Sequence, residues 1–262
     1  MSPTAWRSLL FVPGDDERKL AAAARAGADA VVVDLEDGVA PERKDAAREL
    51  LASALPPGAL VRVNGLESGL METDLEAVRG VDAAGLVLPK ATPEAAEALA
   101  SQSLPVVAIA ETADGVRRAF EIACVPRVVA LVLGAVDLGA QLGLAPLPDG
   151  EELLYARSKL VVDSVAAGIR PPFDSVHRTL DDPEGLEREC RRARALGLRG
   201  KGCIHPAQVE VVNRAFAPDE DELAWARRVV AEHEGGVSRV GGEMVDKPVL
   251  ERARALLAEA ER

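Results

Sequence analysis

Residues 106–116 read VVAIAETADGV, and residues 128–143 read VVALVLGAVDLGAQLG. Each stretch begins as a short, unbroken apolar run rich in Val, and each run leads to an acid: Glu111 in the first, Asp137 in the second. Small residues and a turn follow both acids. Short unbroken apolar runs are the mark of strands in a parallel sheet that is covered on both faces. A carboxylate where such a strand ends lies at the open edge of the sheet. Its hard oxygens suit a divalent cation such as Mg2+ there, and the turn leaves room for water and substrate. Each acid also has a plainer reading, as a cap or first-turn residue of the helix that follows.

The same pattern recurs outward from this stretch. Runs at 8–12 (SLLFV), 30–34 (AVVVD), 60–64 (LVRVN), 85–89 (GLVLP), 170–176 and 201–205 (KGCIH) bring the total to eight, the one at 170–176 weakened by Pro171 and Pro172. Ala-rich helical segments separate them, opened by Asp15 or Asp16, by Pro41, by Thr92-Pro93 and by Pro206. Eight strand–helix units predict an α/β fold of the closed (β/α)8 TIM-barrel type. An open doubly wound sheet is the competitor, and no GxGxxG follows an early strand to support it. After residue 217 the pattern changes: an amphipathic helix over 219–234, Gly235-Gly236, the irregular stretch VSRVGGEMVDKP, and a final helix from 248. The expected organisation is a barrel catalytic domain over 1–217 and a C-terminal helical extension over 218–262. The extension is either a passive brace or a lid carried on a Gly-rich link.

Composition narrows the partners. The chain has 262 residues and a net charge of −12, which argues against nucleic acid. No apolar run is long enough to span a bilayer and no signal opens the chain, so no membrane partner is expected. Three cysteines without metal-type spacing, Cys124, Cys190 and Cys203, suit reduced thiols and a cytoplasmic protein.

Active sites of such barrels lie at the carboxyl ends of the strands. Those ends carry Asp34, Glu36, Asp37, Arg62, Asn64, Lys90, Glu111, Asp137, Asp174 and His205. Arg62 lies inside an apolar strand and needs an anionic partner. That partner is either an internal one, Glu36 or Asp37, or a substrate carboxylate or enolate oxygen matched to the guanidinium fork. The 34–38 segment DLEDG is either a solvated acidic turn or a place where Glu36 or Asp37 holds cation-bound waters. Lys90 reads as a structural or phosphate-facing residue rather than a Schiff-base lysine. His205 reads as structural, and Asp246, on the residues alone, as the cap of the final helix.

Taken in order, RSLLFVPG, VVVDLEDGV, LVRVNG, LVLPK, AIAETADGV, LVLGAVDLGAQLG and GKGCIHPAQ resemble the citrate lyase β-subunit-like proteins of the HpcH/HpaI aldolase superfamily, over nearly the whole chain. The resemblance implies a TIM barrel, Mg2+ (with Mn2+ as a substitute), and cleavage or formation of a C–C bond in a β-hydroxyacyl coenzyme A thioester through a thioester enolate. It implies Glu111 and Asp137 as metal ligands and Arg62 as a substrate clamp, with Gly134 and Ala135 beside Glu111 and Asp137 at the substrate. The GEMVDKP stretch would supply Asp246 as the catalytic acid/base from a neighbouring subunit. Family members are often trimers or hexamers, so a homotrimer or homohexamer is expected. Arg7, Arg18 and Lys19, near the first loop, stand as candidate contacts to the thioester. Two departures bear on substrate identity: Val136 stands where many relatives have an acid, and the segment after Asp174 runs SVHRTL instead of ending in DF. An aldolase acting on free 2-oxo acids and a citrate lyase β-like subunit of a larger complex are the alternatives.

Overall fold

A computed structural model describes residues 6–147, 150–233 and 235–260. The chain folds into two compact units, residues 1–213 and 214–262.

The first unit is the barrel. Seven parallel strands form one sheet: β1 (Ser8–Pro13), β2 (Ala30–Asp34), β3 (Leu60–Arg62), β4 (Gly85–Leu88), β5 (Val106–Ala110), β6 (Val128–Leu133) and β7 (Lys201–Cys203). They are ordered β6-β5-β4-β3-β2-β1-β7. The expected strand at 170–176 survives as two residues. Phe173 bridges Val132 of β6, and Asp174 bridges Lys201 of β7, both in parallel. The Phe173 amide and carbonyl serve Leu131 and Leu133, and those of Asp174 serve Gly200 and Gly202. This short stave joins the two edge strands, so the sheet curls into a nearly continuous TIM-barrel ring. Proline explains its brevity, because Pro171 and Pro172 have no N–H to give a ladder.

Side chains alternate along each strand, and one parity fills the barrel. Leu9, Ala30, Val32, Leu60, Val87, Val107, Ile109, Ala130, Val132 and Phe173 form this interior cluster. With Phe173 turned inward, Asp174 faces the surrounding helices. There it is fully buried between Arg157 Nε (2.8 Å) and Lys201 Nζ (2.8 Å), and Lys201 also pairs with Glu189 at 3.0 Å. Burial opposes its charge, but Lys201 and Arg157 outweigh it and hold the Asp174 carboxyl below the usual carboxylate range. Asp174, expected among the polar strand ends of the site, thus belongs to a structural ion network.

The second unit holds helix Glu220–Glu232, the antiparallel hairpin β8 (Ser238–Val240) and β9 (Glu243–Val245), and helix Lys247–Ala260. Ala226, Val229, Val240, Val245, Leu250, Ala253 and Leu256 give it a core of its own. Among the described residues, no helix is long and apolar enough to cross a membrane.

Candidate active site

The barrel's interior parity, carried two residues beyond the apolar cluster, generates the site. Val32 leads to Asp34, Leu60 to Arg62, Ile109 to Glu111, Val132 to Gly134 and Phe173 to Ser175. Because all strands are parallel, these residues gather at one end, the carboxyl end.

Asp34 is the hub of the acidic loop. Its Oδ1 accepts from Arg62 Nε (2.7 Å) and the Glu36 amide (2.8 Å). Its Oδ2 accepts from Arg62 Nη2 (2.6 Å) and the Gly38 amide (2.8 Å). A Cβ on Gly38 would stand 2.3 Å from that Oδ2, so the turn requires glycine. The third guanidinium nitrogen, Arg62 Nη1, lies 2.9 Å from Glu36 Oε2. Its N–H is not aligned on that oxygen, which is buried without a hydrogen-bond donor. The internal pairing expected for Arg62 therefore exists with Glu36, and with Asp34 beside it. Asp34 and Glu36 are buried, and only Asp37 fits the solvated-turn reading.

A second network fixes the same loop from below. Asp74 is fully buried, and its Oδ2 accepts from the amide (2.6 Å) and the Nδ2 (2.7 Å) of Asn64. Asn64 Nδ2 also donates to the Leu35 carbonyl at 2.9 Å, and Arg48 Nε reaches Asp74 Oδ1 at 2.7 Å. Breaking a buried pair by removing one partner costs about 3–5 kcal/mol. Asp74→Ala is therefore expected to lower the thermal midpoint by several degrees, read by circular dichroism. An unchanged midpoint would remove this network from the fold's support.

Glu111 is the centre of the site. It is buried, and its Oε1 accepts from the Lys90 amide at 2.7 Å. Its other oxygen lies against Gly134, where a Cβ would stand 2.2 Å from Glu111 Cβ and 2.7 Å from Oε2. Gly134 caps helix Ala135–Leu142, whose first turn carries the exposed Asp137. Burial, then the charges of Glu36 and Asp137, push the Glu111 carboxyl up to about 7, against the opposing pull of the Lys90 amide and charge. Lys90 Nζ bonds Glu36 Oε1 and lies 3.2 Å from Asp37 Oδ2. Burial disfavours its charge, but these two acids outweigh that and raise its pKa. A lysine so held stays an ammonium, which does not suit Schiff-base chemistry.

These residues fit a hard divalent cation. Glu111 and Asp137 offer carboxylate oxygens, and the donorless Glu36 Oε2 can accept from a water on such an ion. Among the described residues no three His, Cys, Asp or Glu side chains group as metal ligands, so the protein would give few ligands. Mg2+ commonly keeps its remaining positions for water and substrate.

Other expected residues fall differently. The Gly134 amide donates to Ala110 O (3.1 Å) and the Ala135 amide to Ser175 Oγ (3.0 Å), so both are already engaged. Val136 and Asp137 follow in the first turn, where helix geometry gives their amides no carbonyl partner. Ser175 was missed by the sequence reading, although its place two residues after Phe173 was the available signal. Arg7 precedes β1, at the opposite end of the barrel, and pairs with Asp29 at 3.2 Å, so it is no candidate for substrate contact. Exposed His205 accepts from the Ala207 amide (3.2 Å) at the start of its helix. A cavity of about 450 Å3 opens beside β1, lined by Phe11, Pro13, Lys19, Ala23, Ile204 and His205 among others. Asp246, in the second unit, accepts from the Val249 amide at 3.3 Å and so caps the final helix.

Comparison with known proteins decides the family. The profile described as HpcH/HpaI aldolase/citrate lyase matches residues 7–206, and that of a C–C bond lyase of the TIM-barrel fold matches residues 152–262. The chain belongs to the HpcH/HpaI aldolase/citrate lyase family. It is accordingly an enzyme of the carbon–carbon lyase class. It is 38% identical to a citrate lyase subunit beta-like protein of Deinococcus radiodurans, over 98% of each chain. It is 37% identical to a (3S)-malyl-CoA thioesterase of Cereibacter sphaeroides, over 98% of this chain and 95% of that one. The crystal structure of protein CitE from Mycobacterium tuberculosis, in complex with magnesium, acetoacetate and coenzyme A, superposes with a TM-score of 0.90 at 38% identity, covering 98% of this chain and 99% of the other.

Proposed function

We propose that this protein is a Mg2+-dependent lyase that cleaves or forms the C–C bond of a β-hydroxyacyl coenzyme A thioester, giving a 2-oxo acid and an acyl thioester. The observation that carries this reading is the packing of Glu111 Oε2 against Gly134, the N-cap of the helix that bears Asp137, with Arg62 fixed by Asp34 and Glu36. The magnesium, coenzyme A and oxo-acid complexes of the relatives support it. Mn2+ is expected to substitute, since the ligands are oxygens.

Glu111 and Asp137 would hold the cation, which when bound supplies Lewis acidity toward the hydroxyl oxygen of the 2-hydroxy acid part. Arg62, held by two carboxylates, presents a fixed positive charge to the developing enolate oxygen. First-turn amides of the Asp137 helix, next to Gly134 and Ala135, offer N–H groups to the substrate carboxylate. Glu36 and Asp37 would accept from waters on a bound cation. Asp246 moves the proton at the enolate carbon. The cavity beside Phe11 and Lys19 gives the thioester's longer part somewhere to lie. Asp246 acting across subunits requires an oligomer, a homotrimer or homohexamer by this reading, and the second unit then serves as a lid. Three free cysteines, two of them buried, fit a cytoplasmic setting.

The test is proton exchange. The protein with Mg2+ in D2O is expected to load deuterium into the acyl carbon of acetyl-CoA, and a chelator is expected to stop it. No exchange under any metal condition would sink the enolate chemistry. A second reading, thioester hydrolysis, is favoured by the relative named as a malyl-CoA thioesterase. Products separate the two: cleavage gives an acyl-CoA and a 2-oxo acid, whereas hydrolysis gives free coenzyme A and an intact hydroxy acid.

A further inference from the structure

Lys90 acts on the acids of the site through both its main chain and its side chain. It follows β4 with φ of 47°, in the left-handed region that is costly for a lysine and that clusters at functional sites. In that conformation its N–H donates to Glu111 Oε1 (2.7 Å), while its Nζ bonds Glu36 Oε1 and reaches Asp37 Oδ2 at 3.2 Å. A residue needed only to pair with Glu36 would not require this backbone.

We propose that Lys90 is a positioning residue that sets how many carboxylates a bound cation can reach. Its amide occupies one oxygen of Glu111 and leaves Oε2 for the ion. Its ammonium withholds Glu36, whose remaining partner is Arg62. The protein would then contribute Glu111 and Asp137 alone, and a bound Mg2+ would keep its other positions for water and a chelating substrate. This inference rests on the reading that the cation binds at Glu111 and Asp137.

The signs are fixed by charge. Removing the ammonium takes a positive charge away from beside a cation site and frees Glu36 to turn toward the ion. Both effects tighten metal binding, whereas mere structural damage would weaken it. Lys90→Met keeps the stem and the amide. Titration calorimetry of the full chain with MgCl2 is expected to give about tenfold tighter binding for this variant, from a unit charge near a divalent ion. Its kcat is expected to fall, because a position meant for substrate is taken. Lys90→Arg is expected to bind Mg2+ within about twofold of wild type, since it keeps the charge. The double variant Lys90→Met/Glu36→Gln is expected to lose the gain, since removing the Glu36 charge offsets the removed ammonium and an amide cannot replace the freed carboxylate.

Lys90→Gly, which suits the left-handed backbone, makes the same prediction as Lys90→Met and serves if the latter does not fold. Unchanged or weaker Mg2+ binding in a folded Lys90→Met or Lys90→Gly protein overturns the proposal. Wild-type protein that binds no Mg2+, or a Glu111→Gln variant that binds it normally, overturns the underlying site and this inference with it.

Discussion

Glu111→Gln is expected to abolish Mg2+ binding and turnover together while leaving the protein folded and, without metal, more heat-stable. The amide is isosteric, and its oxygen can still accept from the Lys90 N–H. What is lost is the charged oxygen beside Gly134, which the proposed cation site needs. The stability gain follows from the carboxyl's displacement from its ordinary 4.5 to about 7. A group whose acid form is favoured by folding binds its proton more tightly in the native state. Stability therefore falls as pH rises from 4.5 through 7, and above that the folded chain carries a cost of the order of 3 kcal/mol. Glutamine carries no such cost. At pH 8 in chelator, the variant's thermal midpoint is expected to exceed the wild type's, and the gap to close toward pH 5. Saturating Mg2+ is expected to raise the wild-type midpoint, by about 2.7 kcal/mol of stability at a hundredfold excess over Kd. It is expected to leave the variant's unmoved. A variant that still gains stability from Mg2+ would take Glu111 out of the metal site.

Much of the candidate site's make-up is legible in the sequence. Glu111 and Asp137 stand out because an apolar run leads to each; Glu111 directly follows β5, whereas Asp137 lies in the first turn of the helix after β6. The alternation that carries Ile109 to Glu111 and Leu60 to Arg62 along one face is hidden in runs that are apolar on both faces, and it shows only in the structure. The seventh stave was legible only in part. Its prolines announced a weak strand, but nothing local says that two bridging residues suffice, because closure depends on β6 and β7 meeting on either side. Asp174 was misplaced by the rule that strand-end polar residues face the site. Its neighbour Phe173 takes the inward position, and a carboxylate facing outward here meets Arg157 and Lys201, far away in sequence. Asp34 was seen only as one acid of a cluster. Its part as the shared acceptor for Arg62 and two loop amides arises from β2 and β3 lying side by side, a tertiary fact. Lys90 likewise showed its side chain in the sequence but not its backbone conformation.

Asp246→Asn is expected to lower kcat by about a thousandfold, the range of a lost general acid or base, with Mg2+ affinity and folding retained. The substitution is clean for a structural reason. Asp246 accepts from the Val249 amide, and its carbonyl accepts from Leu250 N at 3.0 Å, which is the geometry of a helix cap. Asparagine caps about as well as aspartate, so the helix start survives. Only the capacity to carry a proton disappears. The cap reading drawn from sequence and the catalytic reading drawn from resemblance are therefore compatible, because one oxygen can serve the helix while the other is free for chemistry. Co-expression separates action across subunits from action within one. Glu111→Gln and Asp246→Asn chains are each inactive alone, but a mixed oligomer contains sites with Glu111 from one subunit and Asp246 from its neighbour. Random assembly of equal amounts places both intact residues at about a quarter of the sites, and that share of wild-type activity is the expected recovery. If Asp246 serves its own barrel, no chain in the mixture has both residues and activity stays absent. Full activity in Asp246→Asn alone would instead hand the proton to another group.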